Sequence, residues 1–434
     1  MPESPYPMIP VDEAIAIILR EVHPLPAQSV PFAGAGGCVL AESVRADDPL
    51  PPFPASTVDG YALRAADRGP RRITGEQMAG YVADVRLSAG EAARVTTGAP
   101  IPPGADAVVM VEDTQERDGL LTVNASLSAG DNIRPVGSDI AAGQTVLEAG
   151  TLLRAAEIGL LATVGRTAVR VYPRPRVGVM STGDEVVEPG HPLRPGQIRD
   201  ANRYALMEAV RQAGGAPLNL GIVRDRQDSL ARTIERGLAE ADVLLTSGGV
   251  SMGQLDLVKP YLARHGVLHF GRIRAKPGKP LTFGVLQGKP FFALPGNPVS
   301  ALVTFEVFVR PALRRMAGHT DLHHPRRQVT LAHAVRHSPG RTEFQRAVIT
   351  PRPDGTLTAA TTGGQQSSRL LSLRGANGLI DRLIQMGLVT DQDAMGARMM
   401  MGMLAVPGDG EDTLTSRIEM NEQGHVLANG QRIQ

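Results

Sequence analysis

The chain has 434 residues, 42% of them apolar, and sets 45 basic against 44 acidic side chains. That length gives room for roughly two to four domains, while the balanced charge gives no footprint for a nucleic-acid or membrane surface. A single cysteine, Cys38, excludes a disulfide framework or a cysteine-built metal site, and 3% aromatics with no Trp leave few platforms for stacking bases.

The opening stretch, MPESPYPMIPVDEA, carries acids and prolines where a signal peptide carries a basic region. No apolar run approaches the roughly 18 residues of a membrane span. The expected location is the cytoplasm, with neither nucleic acid nor membrane as partner. Gly 48 and Pro 34 predict many loops and short strands.

VDEAIAIILREV (11–22) puts Val11, Ile15, Ile18, Leu19 and Val22 on one helical face. Asp12 and Glu13 lie in its first turn, where the helix dipole favours them. From about 45 to 135, short apolar pieces alternate with Gly, Pro and Asp, a β-rich and loop-heavy pattern in which 91–113 reads as strand, loop, strand. LLRAAEIGLLATVG (152–165) reads as helix.

From about 175 the rhythm changes. RVGVMSTG, APLNLGIV, DVLLTSGG, LTFGVL and PFFALPG read as strands. ANRYALMEAVRQAGG, QDSLARTIERGLAEA, DLVKPYLARHG and the long NPVSALVTFEVFVRPALRRMAG read as helices. Such alternation with short turns predicts a parallel-type sheet between helix layers. Short alternating strands follow over 325–380, and from 381 a Met-rich piece (Met399, Met400, Met401, Met403) reads as helical. The predicted fold class is multidomain α/β plus β. It comprises an elongated linking domain (1–45 with 137–173), a β-rich domain (46–136), a three-layer α/β domain (174–318), a small β domain (319–380) and an atypical tail (381–434).

In an open α/β sheet, ligands bind beyond the carboxyl ends of the strands. LLTSGGVSMGQLD ends a strand in Ser247, Gly248 and Gly249, whose backbone N–H groups no Cβ shields. Asp256 then opens a helix, either as an N-cap or as a ligand. STGDEV brings Asp184 and Glu185, IVRDRQDS brings Asp225, and LPGNPVSA brings Pro295, Asn297 as a cap and Pro298 at the first helical position. GRIRAKPGKP adds Arg272, Arg274, Lys276 and Lys279 on a proline-stiffened loop. Cations beside glycine turns suit an oxyanion or phosphate, and the acids suit Mg²⁺. No Walker loop, HExxH or Gly-x-Ser-x-Gly motif is present, and His319, His323 and His324 read as surface.

Six stretches, PFPASTVDGYAL, TTGAPIPPGADAVVMVED, STGDEV, SGGVSMGQLD, KPGKP and LPGNPVSA, stand in the order seen in molybdopterin molybdenumtransferases. The chain resembles that family, which includes bacterial MoeA and the E domain of gephyrin, over about 10–380. The resemblance implies molybdenum insertion into adenylylated molybdopterin with release of AMP. It implies molybdate as substrate, Mg²⁺ as cofactor, and a homodimer whose site is shared between subunits. By the same resemblance Asp59 and Thr97 come from the partner subunit, and Glu185, Asp225 and Asp256 form the acidic side. Asp256 and Glu185 would meet the metal. Ser247, Gly248, Gly249, Arg272, Lys276, Lys279, Pro295, Pro298, Arg346 and Ser367 would bind substrate. Arg272 stands where the family pattern has Lys. The tail departs from the family pattern. The alternatives are the pathway's adenylyltransferase, against which the N-terminal TVDGYA region argues, and a non-catalytic scaffold.

Overall fold

The computed structural model of the chain describes residues 6–249, 257–335 and 340–382, and the backbone of four short strands within 401–432. These fall into two compact units, one built from 29–36 and 40–170, the other from the described parts of 1–28, 37–39 and 171–434.

The helix predicted at 11–22 forms as α1 (Val11–Glu21) and belongs to the second unit. It buries Val11, Ala14 and Ile18 in that unit's main core, with Ile15 and Leu19 packed alongside. The predicted apolar face is therefore the one turned to the core.

The first unit holds a six-stranded sheet with cores on both faces. Its strands run over Gly60–Leu63, Arg71–Gln77, Glu91–Val95, Ala107–Met110, Thr114–Arg117 and Leu120–Val123. Tyr61 and Leu63 pack on one side with Val109 and Leu121, while Ala62 packs on the other with Ala93, Val95 and Val108. That is the period-two alternation of an extended chain. The strand–loop–strand predicted for 91–113 is present, and α2 (Ala155–Thr163) lies within the predicted helix at 152–165.

The second unit is centred on six strands: β1 (Arg176–Thr182), β2 (Ala216–Val223), β3 (Val243–Ser247), β4 (Val267–Phe270), β5 (Thr282–Leu286) and β6 (Lys289–Leu294). The order is β2-β1-β3-β6-β5-β4. The first four are parallel, and β5 and β4 complete the edge in antiparallel fashion. Gln287 and Gly288, at φ 49° and 75°, form the left-handed pair that reverses the chain between β5 and β6.

Helices α3 (Asn202–Gln212), α4 (Gln227–Glu240) and α5 (Val258–His265) alternate with the strands. A long C-terminal helix follows: α6 (Pro298–Thr304), a π turn (Phe305–Val309) and α7 (Arg310–Met316). Successive strand residues serve opposite cores. Val243 and Leu245 meet Leu206 and Val210 of α3 and Phe305 and Phe308 of the long helix. Leu244 meets Leu230, Ile234 and Leu238 of α4 and Leu262 of α5. Strands apolar on both faces require helices on both faces, which makes the three layers.

The small sheet contains β7 (Thr342–Pro351), β8 (Leu357–Thr361), β9 (Gly378–Arg382) and β10 (Met401–Ala405), with Thr330–Leu331 at its edge. β10 corrects the helical reading of the Met-rich tail for Met401 and Met403, because it pairs antiparallel with β9 from Gly378↔Ala405 to Arg382↔Met401. The open edge of β9 offers backbone donors and acceptors that a strand satisfies, and Gly402 weakens any helix there. Met399 and Met400 lie outside the described residues. Ala275–Lys276 pairs in parallel with Thr342–Glu343, which ties the lysine loop to β7.

Of the three clustered histidines, two are not on the surface. His324 is buried with its Nε2 2.9 Å from Glu306 Oε2, His319 is half-buried, and His323 is exposed as expected. Among the described residues, no helix is long and apolar enough to cross a membrane.

Candidate functional site

Strands β1, β3 and β6 end side by side, and each runs into a turn rich in small residues. The Gly248 N–H donates to Leu294 O at 3.1 Å. A Cβ on Gly248 would stand 2.7 Å from Thr182 O, and one on Gly249 would stand 2.8 Å from Thr182 Oγ1. Both glycines have left-handed φ, 94° and 66°. The strand ends thus touch backbone to backbone, a packing that side chains would prevent.

A cleft of about 990 Å³ opens over these ends. It brings together most of the residues singled out in the sequence: Ser247, Gly248, Gly249, Pro295 and Pro298 on the floor, Glu185 and Asp225 on one side, and Arg272, Lys276, Lys279 and Ser367 around the rest. Asp256 lies outside the described residues. Asp59 and Thr97 belong to the other unit.

The acidic side is a cluster. The Asp225 N–H donates to Asp184 Oδ1 at 3.3 Å. Burial raises the Asp225 carboxyl above its usual range, and the charges of Asp184 and Glu185 raise it further. A carboxylate whose ionisation its acidic neighbours oppose fits a divalent cation, which would relieve both the repulsion and the desolvation. Mg²⁺ takes one or two protein carboxylates and completes its shell with water and phosphate oxygens. That suits this partial donor set; among the described residues no group of three or more His, Cys, Asp or Glu side chains forms a full metal cage.

The cationic side differs from the sequence expectation in one respect. Arg346 does not face the cleft. It is 1% exposed. Its guanidinium donates to Ser372 Oγ and to the carbonyls of Gln365 and Gln366, and burial pushes its pKa down to about 10. Its backbone N–H donates to Gln365 Oε1 at 2.9 Å, so it builds the 365–367 loop from behind. Arg341 lines the cleft instead. Arg341 stands at the bend just before β7, whereas Arg346 lies within the strand and points into the core. Lys276 reaches the cleft with its Nζ 2.9 Å from Glu343 Oε1, a buried carboxylate of β7.

Asn297 also departs from expectation, since its side chain makes no cap hydrogen bond at the start of α6. Asn297 Nδ2 donates to Ser367 Oγ at 2.9 Å, and the Val299 N–H donates to Ser367 O at 3.1 Å. The loop of the small sheet therefore occupies the helix start. Sequence reasoning passed over Arg341, Lys259, Ser181, Asp200 and Asn202, which also line the cleft. The available signal was Asp200 and Arg203, an acid and a base three apart where a strand end meets a helix.

In the first unit, Asp59 Oδ1 accepts from the Thr97 N–H at 2.7 Å and from Thr97 Oγ1 at 3.0 Å. Those bonds hold the exposed carboxyl below the usual carboxylate range. The pair is a fixed anion at the edge of its sheet.

The chain is thus a multidomain α/β plus β protein: a three-layer α/β unit with a cleft of cations and acids at its strand ends, extended by a small β sheet. Residues 9–165 match the MoeA N-terminal region (domains I and II), 178–315 a probable molybdopterin-binding domain, and 328–382 the MoeA C-terminal region (domain IV). The chain is 37% identical to molybdopterin molybdenumtransferase 2 of Mycobacterium tuberculosis, over 85% of this chain and 93% of that protein. It is 36% identical to gephyrin of Dictyostelium discoideum over 87% of this chain, and it spans 60% of that longer protein. The crystal structure of the MoeA protein of Pyrococcus horikoshii superposes with a TM-score of 0.73 at 30% identity, covering 92% of this chain and 97% of that one. The chain belongs to the MoeA family of molybdopterin molybdenumtransferases.

Proposed function

We propose that the chain is a molybdopterin molybdenumtransferase that takes adenylylated molybdopterin and molybdate, releases AMP and leaves molybdenum on the dithiolene. The observation that carries this reading is the cleft itself. It gathers bare glycines, the four cations Arg272, Lys276, Lys279 and Arg341, and the acids Glu185 and Asp225 around one space. Molybdate is a dianion and the pyrophosphate linkage is anionic too, so bringing them together needs positive charge fixed beforehand.

In this reading Arg272, Lys279 and Arg341 hold the oxyanions. Glu343 fixes the direction of the Lys276 ammonium. Gly248 and Gly249, with no side chains, leave room where the phosphate side enters, with Pro295 and Pro298 shaping the floor. Glu185 and Asp225, with Asp256, would hold Mg²⁺. When bound, that ion supplies charge neutralisation at the linkage and the leaving phosphate. Asp59 and Thr97 complete the site from the partner subunit of a cytoplasmic homodimer, and their hydrogen-bonded rigidity suits a positioning role.

The test is AMP release from adenylylated molybdopterin and Mg²⁺, with and without molybdate. Release that depends on molybdate is expected. Release without molybdate, or none from folded protein, overturns the reading.

A further inference from the structure

The floor of the cleft is three strand ends in backbone contact, and something must hold their spacing. The Gly248 amide reaches only Leu294, and the 295–298 turn carries no sheet pairing of its own. Ser247 Oγ reaches across to Pro295 O at 3.4 Å, and Asn202 adds the shorter bridge. Its Nδ2 donates to Ser247 Oγ at 2.7 Å and to Gly296 O at 2.7 Å. A carbonyl only accepts, so the group facing Gly296 O must be the amide NH₂, and the orientation of the side chain follows from chemistry. Gly296 approaches Gly248 closely enough that a Cβ on it would stand 3.7 Å from Gly248 Cα. Asn202 therefore bridges the β3 and β6 ends where they come nearest.

Its own position is fixed from both sides. Asp200, 3% exposed, accepts from Ser181 Oγ at 2.9 Å and from the Arg203 N–H at 3.1 Å. Arg203, 1% exposed, donates from Nε to Asp200 Oδ2 at 2.8 Å and from Nη2 to Glu188 Oε1 at 2.5 Å, and its Nη1 meets Asn219 Oδ1. This buried clamp pins the first turn of α3 to the end of β1 through Ser181. Asn202 then projects from a rigid base onto the other two strand ends.

We infer that Asn202 is a positioning residue for substrate: it sets the width of the glycine cradle by tying Ser247 to Gly296. The inference rests on the cleft being the molybdopterin site. The test is Asn202→Ala, with Asn202→Asp as the conservative variant that fills the same volume but has no hydrogen to give Gly296 O. Hydrogen exchange is read on peptides covering 244–249 and 291–298, together with KM and kcat for adenylylated molybdopterin and the melting temperature.

Both variants are expected to exchange about tenfold faster in those two peptides and to raise KM about tenfold, with kcat moved less and melting within a few degrees of wild type. Unchanged exchange, or faster exchange with unmoved KM, overturns the proposal. So does faster exchange throughout the sheet with a large drop in melting, because the role would then be general stability. If the wild type turns over no adenylylated molybdopterin, the functional reading fails first, and the exchange arm still tests the bridge.

Discussion

At the scale of single residues, Arg341 and Arg346 separate binding from building. Arg341→Ala should leave melting unchanged and raise the KM for molybdate about tenfold, the size of one lost charge contact near ~1.4 kcal/mol. Arg346→Ala should destabilise the fold by about 2–4 kcal/mol, because it leaves the Gln365 and Gln366 carbonyls and Ser372 without their donor. Urea unfolding beside steady-state kinetics reads the two apart; equal stability loss in both would contradict the assignment. Asp225 carries a pH signature. Its folded pKa is raised above 3.8 by burial and by Asp184 and Glu185. The unfolded chain thus ionises first as pH rises, and the stability this group gives the protonated fold is lost through the folded pKa. Without Mg²⁺, Asp225→Asn should therefore melt higher at pH 7, by about 1–3 °C, with the gap closing toward pH 3.8. The same variant should lose turnover.

At the scale of elements, legibility followed the strength of the local pattern. The α/β alternation was readable because strands such as DVLLTSGG are apolar on both faces, and helices such as α4 carry Leu230, Ile234 and Leu238 at steps of four. The glycine-ended strands were readable for the same reason: three turn signals at one sheet edge need a common cause. β4 was not, since VLHF is short and half-exposed, and its pairing with β5 is decided by a hairpin elsewhere. Nor was β10, whose partner lies far from it in composition. The face of Arg346 was hidden too, because its direction depends on where the strand begins. His324 was misread through a missing partner, Glu306, which lies on the long helix, and His319 through its burial beside Arg314 and Arg310.

The burial of His319 has a measurable consequence. Burial, helped by Arg314 and Arg310, lowers the His319 pKa from 6.5 to about 4. The unfolded chain then takes up a proton that the fold refuses, so stability is full above pH 6.5 and falls as pH drops toward 4. His319→Gln should flatten the melting temperature between those limits. A variant that keeps the wild-type slope would place the acid sensitivity elsewhere.

At the scale of the whole molecule, the acidic and cationic walls of the cleft belong to one unit and Asp59 with Thr97 to the other. Family membership, together with this division, makes subunit sharing a property that mixing can test. A chain bearing Asp59→Ala keeps a whole cleft, and a chain bearing Asp225→Ala keeps a whole Asp59. Each alone should be inactive as a homodimer. In a site assembled from two chains, the mixed dimer regains one good site of two, because the cleft of the first chain meets the Asp59 of the second. Random association makes half the dimers mixed, so co-expressed chains should recover about one quarter of wild-type AMP release. A site completed within one chain would gain nothing from mixing, since every cleft would still lack one of its two residues. The recovered fraction, measured against the two homodimers at equal protein, therefore decides where Asp59 acts.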